Sequence, residues 1–198
     1  PLPLVITHCC LEQYNRLFKL LLAFRHVHLE LQHVELPRME LLGCALRAQL
    51  AYFVSQVLQY FQQDVIEPAH RRLLEAVAAS RDFRVVVAAH EEFLATATTH
   101  CFLRSPELHD ALIAALRIAS LFCRLAPRAT AEAAPGRGAQ VAGPRAAELQ
   151  RLRGEFVGTV RSVLRMMSSV HRLGEHSHLA QLLLRLDYNG YFSGDVLE

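Results

Sequence analysis

The stretch that decides the fold is residues 46–63, LRAQLAYFVSQVLQYFQQ, which lies in a long run without glycine. Its large apolar side chains recur every three or four residues, which is the spacing of one face of an α-helix. They are Leu46, Leu50, Phe53, Val57 and Phe61. The opposite face carries Gln56, Gln59, Gln62 and Gln63. Because no glycine occurs between Cys44 and Pro135, we expect helix throughout this section and an all-α fold.

The segment before this stretch predicts a helix with two apolar faces. Thr7 is a suitable N-cap, because a threonine oxygen accepts from free backbone N–H groups. A first apolar stripe consists of Leu17, Leu20, Leu21, Phe24, Val27 and Leu31. A second stripe beside it consists of Tyr14, Phe18, Leu22 and Leu29. A helix that is apolar over so much of its circumference is expected to be packed on two sides.

Helix-breaking and helix-starting residues divide the rest of the chain into further helices. Pro68 predicts a kink or a restart, because proline lacks a backbone donor and disfavours helix at the preceding residue. Ser105-Pro106-Glu107 predicts a helix start with a cap and a first-turn proline. Gly174 predicts the end of a later helix, and Ser177 the cap of the last one. The pattern as a whole predicts a bundle of about six to seven helices.

One segment and one turn interrupt this helical pattern. Residues 126–144 are rich in proline, glycine and alanine, which predicts a long flexible loop over about residues 127–145. Limited proteolysis is expected to cut first between Pro127 and Pro144. Near the end of the chain, Asn189-Gly190 predicts a turn that folds Tyr191 and Phe192 back onto the bundle.

Length, charge and cysteine content narrow the class of protein. At 198 residues and 52% hydrophobic, the chain is long enough to bury one substantial core. Its net charge of +2, from 21 basic and 19 acidic residues, provides no field that favours nucleic acid or an anionic membrane. The five cysteines are odd in number and lack C-x-x-C spacing, which predicts reduced thiols in a packed core.

The charges along the chain also bear on membrane insertion. Lys19, Arg25, Arg117 or Arg124 interrupts the longest apolar stretches before the roughly 20 residues that a membrane-spanning helix needs. We therefore predict no membrane-spanning segment. The chain begins Pro1-Leu2-Pro3, without an initiator methionine or a leader, and we interpret it as a fragment of a longer protein.

Histidine, cysteine and glycine patterns provide no catalytic or metal motif. His90-Glu91-Glu92 begins like an H-E-x-x-H zinc motif, but Leu94 stands where the second histidine is needed. His90 shares a helical face with Phe83 and other apolar residues, which predicts a hydrogen-bonded core or boundary histidine. His8-Cys9-Cys10 predicts a buried structural thiol rather than an activated one. Gly136-Arg137-Gly138 lacks the lysine and the preceding strand of a phosphate-binding loop. We predict no active site, no metal and no cofactor.

Several stretches in a fixed order carry a family resemblance. The last apolar helical run breaks into Leu186-Asp187-Tyr188-Asn189-Gly190-Tyr191-Phe192, which is unusual as helix termination alone. Upstream lie YNRLFKLL (14–21), RHVHLELQH (25–33), LQYFQQDVIE (58–67) and, after SRDF (80–83), AHEEFL (89–94). In combination these motifs resemble the γ-tubulin complex proteins. The chain departs from that family in the short connection between Leu36 and Leu46 and at Gly190.

The resemblance implies an all-helical scaffold without catalytic residues. In that family a carboxyl-terminal domain binds γ-tubulin, while an amino-terminal domain contacts neighbouring subunits. Residues 1–198 resemble part of the carboxyl-terminal domain. The implied partners are γ-tubulin and other γ-tubulin complex proteins, with no nucleic acid and no membrane, and any GTP would belong to γ-tubulin. The implied role is microtubule nucleation at a centrosome or spindle pole, in the cytoplasm.

Candidate interface residues are the non-core positions of the family-like segments. They are Arg16, Arg25, His26, Gln59, Gln62, Gln63, Asp187, Tyr188 and Asn189. A solvated face for the first six, and a structural helix end for the last three, are equally compatible with the sequence. A different class of function, a helical adaptor that binds amphipathic partner helices, also fits the pattern. A helical-bundle metal enzyme would need paired Glu-x-x-His motifs, which the chain lacks.

Overall fold

The structure, a computed structural model, describes residues 5–36, 41–125, 142–173, 177–188, 190 and 192. Within these ranges the chain forms seven α-helices and one π-helical stretch, without strands. They are α1 (His8–His33), α2 (Leu41–Gln59), the π-stretch (Tyr60–Ile66), α3 (Glu67–Ala79), α4 (Phe83–His100), α5 (Pro106–Leu125), α6 (Ala142–Leu173) and α7 (Ser177–Leu186). Leu41 to Ala79 is one uninterrupted helix. The predicted all-α bundle is confirmed.

The helix α2 lies at the centre of the bundle. It packs against α1 on one side and against α6 and α7 on the other, and α5 packs against α1, α2 and α6. The apolar stripe that runs along residues 46–63 is fully buried in this core. Phe53 of α2 meets Phe156 of α6 edge-on, with ring centroids 5.7 Å apart. The central stretch therefore organises the fold as its spacing predicts.

The two predicted apolar faces of α1 are packed to different extents. Thr7 caps the helix as expected, and its Oγ1 accepts a hydrogen bond from the Cys10 amide. The first stripe is largely buried against α2 and α5. In the second stripe, Phe18 is 64% and Leu22 54% exposed. At the start of the same stripe, however, Tyr14 contacts His90 and Phe93 of α4. The predicted packing on two sides is therefore confirmed near Tyr14 and wrong at Phe18 and Leu22, which stay exposed.

Pro68 changes the type of helix without ending it. The amide of Glu67 bonds to the Gln62 carbonyl, five residues back, which is the π-helical pattern. Pro68 follows in the first turn of α3 and has no N–H to bond to the preceding turn. The predicted restart therefore takes the form of a switch from π- to α-helical hydrogen bonding. The π-stretch places both Tyr60 and Phe61 in the core.

The helices α3 and α4 form a hairpin with a small second core. Cys10, Ala69, Phe93 and Leu94 are buried there. His90 is also buried, and its Nε2 lies 3.0 Å from the hydroxyl of Tyr14, which confirms the predicted hydrogen-bonded histidine. Phe83, which was expected to line the same face, is exposed because it starts α4 at the outer end of the hairpin.

The turn between α4 and α5 has an unusual backbone. Phe102 has φ of 60°, in the left-handed region where glycine is favoured. Its ring is buried and stacks on Tyr60 at 5.9 Å. The burial offsets a backbone strain of about 1–2 kcal/mol. One guanidinium NH2 of Arg16 donates to the Leu103 carbonyl at 2.8 Å and ties the turn to α1.

The start of α6 corrects one predicted boundary. Residues 126–141 lie outside the described part of the chain, so the loop predicted there is not assessed. Ala142 to Arg145, which were included in that loop, are helical. Pro144 stands in the first turn of α6, where a missing N–H is tolerated. The described part of α6 runs to Leu173; Gly174 lies outside the described residues, so its predicted role as the helix end stays a prediction. The side chain of Ser177 is not described, so its capping role stays a prediction.

The turn after α7 behaves as its sequence predicts. Gly190 has φ of 66° and its amide donates to the Asp187 carbonyl. The Asp187 carboxylate accepts from the Phe192 amide at 2.8 Å. Phe192 is buried against Phe156. Asn189 and Tyr191 lie outside the described residues.

Two predictions from composition need correction. The helix from Leu41 to Ala79 is long and apolar enough to cross a membrane by length and composition alone, which the survey of charged interruptions overlooked. Some of its apolar side chains, among them Leu46, Leu50 and Phe53, are buried in the core, and 39% of its apolar window is buried. Among the thiols, Cys10, Cys101 and Cys123 are buried as expected, whereas Cys9 is exposed.

Candidate functional site

The predicted interface residues on α1 do not share a face. Arg16 and Arg25 are nine residues apart, which places them on opposite sides of a helix with about 3.6 residues per turn. The Arg16 guanidinium donates a hydrogen bond to the Leu103 carbonyl. Arg25 is exposed and lies beside the uncovered second face. His26 is also exposed and lies 3.5 Å from the Glu30 carboxylate.

The predicted glutamines lie on the side of the bundle that faces α7. Gln59 donates from its side-chain amide to Gln63 at 3.0 Å. Both Gln62 and Gln63 are exposed. The next residue, Asp64, forms an ion pair with Arg185 of α7. This pair brings the glutamine-rich segment and the end of α7 to one side of the molecule.

The end of α7 contributes one structural and one exposed residue. Asp187 holds the turn through the Phe192 amide. Tyr188 is 82% exposed and lines a groove of about 340 Å³ with Tyr52 and Gln49. The hydroxyl of Tyr52 donates to the Arg185 carbonyl at 2.7 Å. Since α2 lies between α1 and α7, the predicted residues form separate patches rather than one surface.

An exposed apolar stripe on α1 is the feature that sequence reasoning misjudged. We define the α1 stripe as Leu11, Phe18, Leu22 and Leu29, all of which are exposed. Steps of seven, four and seven residues separate them, which is the repeat of a face that packs against another helix. Their common face was visible in the sequence. The sequence contains no signal that tells whether another part of the chain covers this face.

Arginine and histidine side chains accompany this stripe. Arg25 falls between Leu22 and Leu29 on the same side of the helix. Partial burial, and next the Arg25 charge, lower the pKa of His28. A groove of about 480 Å³ runs between α1 and α5 and is lined by His26, Arg117 and Arg124 among apolar residues. The exposed side of α1 thus combines large apolar groups with a basic rim.

Several titratable side chains have a pKa that is shifted because they are buried in the packed interior. Burial raises the pKa of Cys101 to about 12 and that of Cys123 to about 11, so both thiols are neutral near pH 7 and are poor nucleophiles. Burial also raises the pKa of Tyr14. No group of three or more histidine, cysteine or acidic side chains in the described ranges is placed to hold a metal ion.

The chain is similar to known proteins over nearly its whole length. The chain matches the family model "Gamma tubulin complex component C-terminal" over residues 1–192. It is 32% identical over 207 residues to gamma-tubulin complex component 4 of Homo sapiens and equally to that of Mus musculus. With the Arabidopsis thaliana component 4 the identity is 22% over 220 residues.

The matches cover nearly the whole chain but a minor part of each relative. The matches with the human and mouse proteins include 98% of this chain and 29% of each relative. The match with the plant protein includes 97% of this chain and 28% of the relative. The chain therefore spans less than a third of the length of these relatives. With a family match over residues 1–192, the chain belongs to the γ-tubulin complex component family and represents its C-terminal region.

Proposed function

We propose that this chain is part of a non-catalytic scaffold that binds γ-tubulin within a γ-tubulin ring complex. The complex supports microtubule nucleation at microtubule-organising centres such as the centrosome or spindle pole. The names of its relatives and its family membership support this role. The other γ-tubulin complex proteins are the expected further partners, through regions that the relatives possess beyond the matched part.

The exposed α1 stripe is the observation that carries the proposal. Soluble domains seldom leave large contiguous apolar side chains in solvent unless a partner covers them. Phe18 and Leu22 form the centre of the stripe, and Arg25 lies at its rim. Protein interfaces commonly combine an aromatic centre with arginine. We assign the α1 stripe with Arg25 and His26 as the main γ-tubulin contact.

The second predicted patch has a supporting role in this proposal. Gln59, Gln62 and Gln63 lie on the side of Asp64 and Arg185, and Tyr188 projects from the end of α7. Because α2 separates this patch from α1, one partner would reach both only by wrapping around the bundle. Asn189 belongs to the same predicted group and lies outside the described residues.

A binding assay with purified tubulins tests the proposal. The full chain is expected to retain γ-tubulin and not α/β-tubulin. The double variant Phe18→Ser/Leu22→Ser should lose most binding, because it removes the apolar centre without disturbing the core. Leu184→Ser is the matched control, since Leu184 is 65% exposed on α7. Equal binding by the double variant and the control would remove the α1 stripe from the interface.

Charge reversal separates the two arginines. Arg25→Glu is expected to weaken binding most at low salt, where partly exposed charges are least screened. Arg16→Glu should instead lower the free energy of unfolding, because it breaks the bond to the Leu103 carbonyl. If Arg25→Glu leaves the affinity unchanged in a folded protein, Arg25 is not in the interface.

The spacing of the α1 stripe also fits the alternative of a helical adaptor. Steps of seven and four residues suit an amphipathic partner helix. Failure of the folded chain to bind γ-tubulin would favour this alternative. We further expect that γ-tubulin binding by this chain is not accompanied by microtubule nucleation, because the resemblance assigns subunit-to-subunit contacts to another region of the family.

A further inference from the structure

The second half of α6 concentrates positive charge. Between Phe156 and Leu173 the sequence contains Arg161, Arg165 and Arg172 and no acidic residue. These arginines stand at steps of four and seven residues, so they lie on one face of the helix. The small net charge of the chain, +2, conceals this local concentration.

This face borders a groove of about 670 Å³ between α6 and α7. Its lining consists of Arg161, Leu164, Arg165, Ser168, Ser169, Arg172, Leu183, Asp187 and Phe192. Leu164 and Phe192 are buried and form an apolar floor. The groove therefore has an apolar base, a basic wall and serine hydroxyls between the arginines.

The three arginines of the groove differ in their described contacts. Among the described lining residues, Asp187 is the one carboxylate, and its oxygen accepts from the Phe192 amide at 2.8 Å. The side chain of Arg161 donates to the Phe192 carbonyl at 2.9 Å, which fixes its position. Arg165 donates to the Ser162 hydroxyl at 3.2 Å. Among the described residues, no carboxylate forms an ion pair with Arg165 or Arg172.

We propose that the α6–α7 groove binds an acidic peptide segment of a partner protein. Arginine pairs with carboxylates through planar, multidentate hydrogen bonds, and the apolar floor accepts an aliphatic side chain of the same peptide. A single-stranded nucleic acid would need exposed aromatic faces for base stacking, whereas Phe192 is buried. This site is independent of the proposed function, because α2 and α5 lie between α1 and α6.

Fluorescence anisotropy with a labelled peptide tests the site. Arg161 to Arg172 rises about 16 Å along the helix, so a peptide of about ten residues is long enough. The probe alternates glutamate and leucine, and a second probe carries glutamine in place of each glutamate. The full chain should bind the glutamate probe, more tightly at low salt, and should bind the glutamine probe weakly.

Matched variants assign the binding to the groove. Arg165→Gln/Arg172→Gln should weaken binding of the glutamate probe roughly tenfold. Arg165→Lys/Arg172→Lys should weaken binding of the same probe less, because the positive charges remain. The control Arg71→Gln/Arg72→Gln removes the same charge from exposed positions on α3 and should leave affinity nearly unchanged. All four arginines are exposed, so thermal melts should stay close to that of the parent chain.

Several results would overturn the proposal. Equal losses in the two glutamine double variants would show an effect of net charge alone. Equal binding of both probes, or no binding of the glutamate probe, would exclude an acidic ligand. A large gain in affinity after deletion of residues 193–198, which include Asp195 and Glu198, would mean that the chain's own end occupies the groove. Preference for a single-stranded oligonucleotide over the glutamate probe would replace the peptide with a nucleic acid.

Discussion

The helices α1 and α6 are both long, with 26 and 32 residues, and they use their apolar residues in opposite ways. In α6, Phe156 is completely buried and contacts both Phe53 and Phe192. In α1, Phe24 is equally buried, yet Phe18 is 64% exposed on the adjoining face. Periodicity identifies an apolar face in both helices. It does not identify what covers that face, because the covering element is distant in sequence or belongs to another chain.

The difference also separates stability from recognition. Residues of the α2–α6 contact exclude water within the chain and contribute to folding. Residues of the α1 stripe remain in water, so their contribution is expected to become apparent only when a partner covers them. Substitutions in the two regions should therefore affect different measurements.

The largest expected effect distinguishes the buried phenylalanines from the exposed one. Phe53→Ala or Phe156→Ala should lower the free energy of unfolding by about 3–5 kcal/mol, because each removes a ring from a packed core. Phe18→Ala should change it by less than about 0.5 kcal/mol. Urea unfolding at equilibrium provides the measurement.

The opposite result would break the comparison. A loss below about 1 kcal/mol for Phe156→Ala would mean that the α2–α6 contact is solvent-accessible in solution. If Phe18→Ala lowers the free energy of unfolding as much as Phe156→Ala does, the α1 stripe is covered, for example by self-association. Repeating the unfolding at several protein concentrations distinguishes these cases.

An intermediate effect is expected at Tyr14, which the sequence assigns to the same stripe as Phe18. Its hydroxyl lies 3.0 Å from Nε2 of the buried His90. Tyr14→Phe should cost about 1 kcal/mol through loss of this hydrogen bond. An unchanged free energy of unfolding would show that Tyr14 behaves like the exposed members of its stripe. A double-mutant cycle with His90→Ala isolates the pair.

The smallest expected effect is the titration of His28 on α1. Partial burial and then the Arg25 charge lower its pKa, so the unfolded chain takes up the proton first as pH falls. Stability should decrease as pH falls through the ordinary histidine value of about 6.5, and the loss should stop below the folded-state pKa.

NMR titration tests the assignment of this shift. Arg25→Gln should raise the pKa of His28 toward its ordinary value, whereas Lys19→Gln, on another side of α1, should leave it nearly unchanged. If neither variant moves the pKa, burial alone depresses it and Arg25 does not act on His28.

Features with a local cause could be predicted from the sequence. The Thr7 cap and the start of α5 at Pro106 follow from chemistry within a few residues. The return of Phe192 to the core follows from the Gly190 turn. The π-stretch and the left-handed Phe102 could not be predicted, because packing around Tyr60 holds the backbone in conformations that local preference disfavours.

The candidate sites show the same division. The residues proposed for recognition on α1 were visible as an apolar stripe. Their exposure required knowledge that α2 and α5 pack against the other stripe and that α4 contacts the helix at Tyr14. The basic face of α6 was present in the sequence as a run without acids. This face lines a groove because α7 and Phe192 lie beside it in the folded chain.

The sequence by itself determined that this protein is helical, where most of its helices begin and end, and which residues are apolar on each face. These properties depend on backbone propensity, capping and periodicity, which act over short distances along the chain. The tertiary structure decided which apolar face is buried, how the backbone passes Pro68 and Phe102, and which arginines line a groove. These depend on contacts between residues far apart in sequence, where burial outweighs local preference.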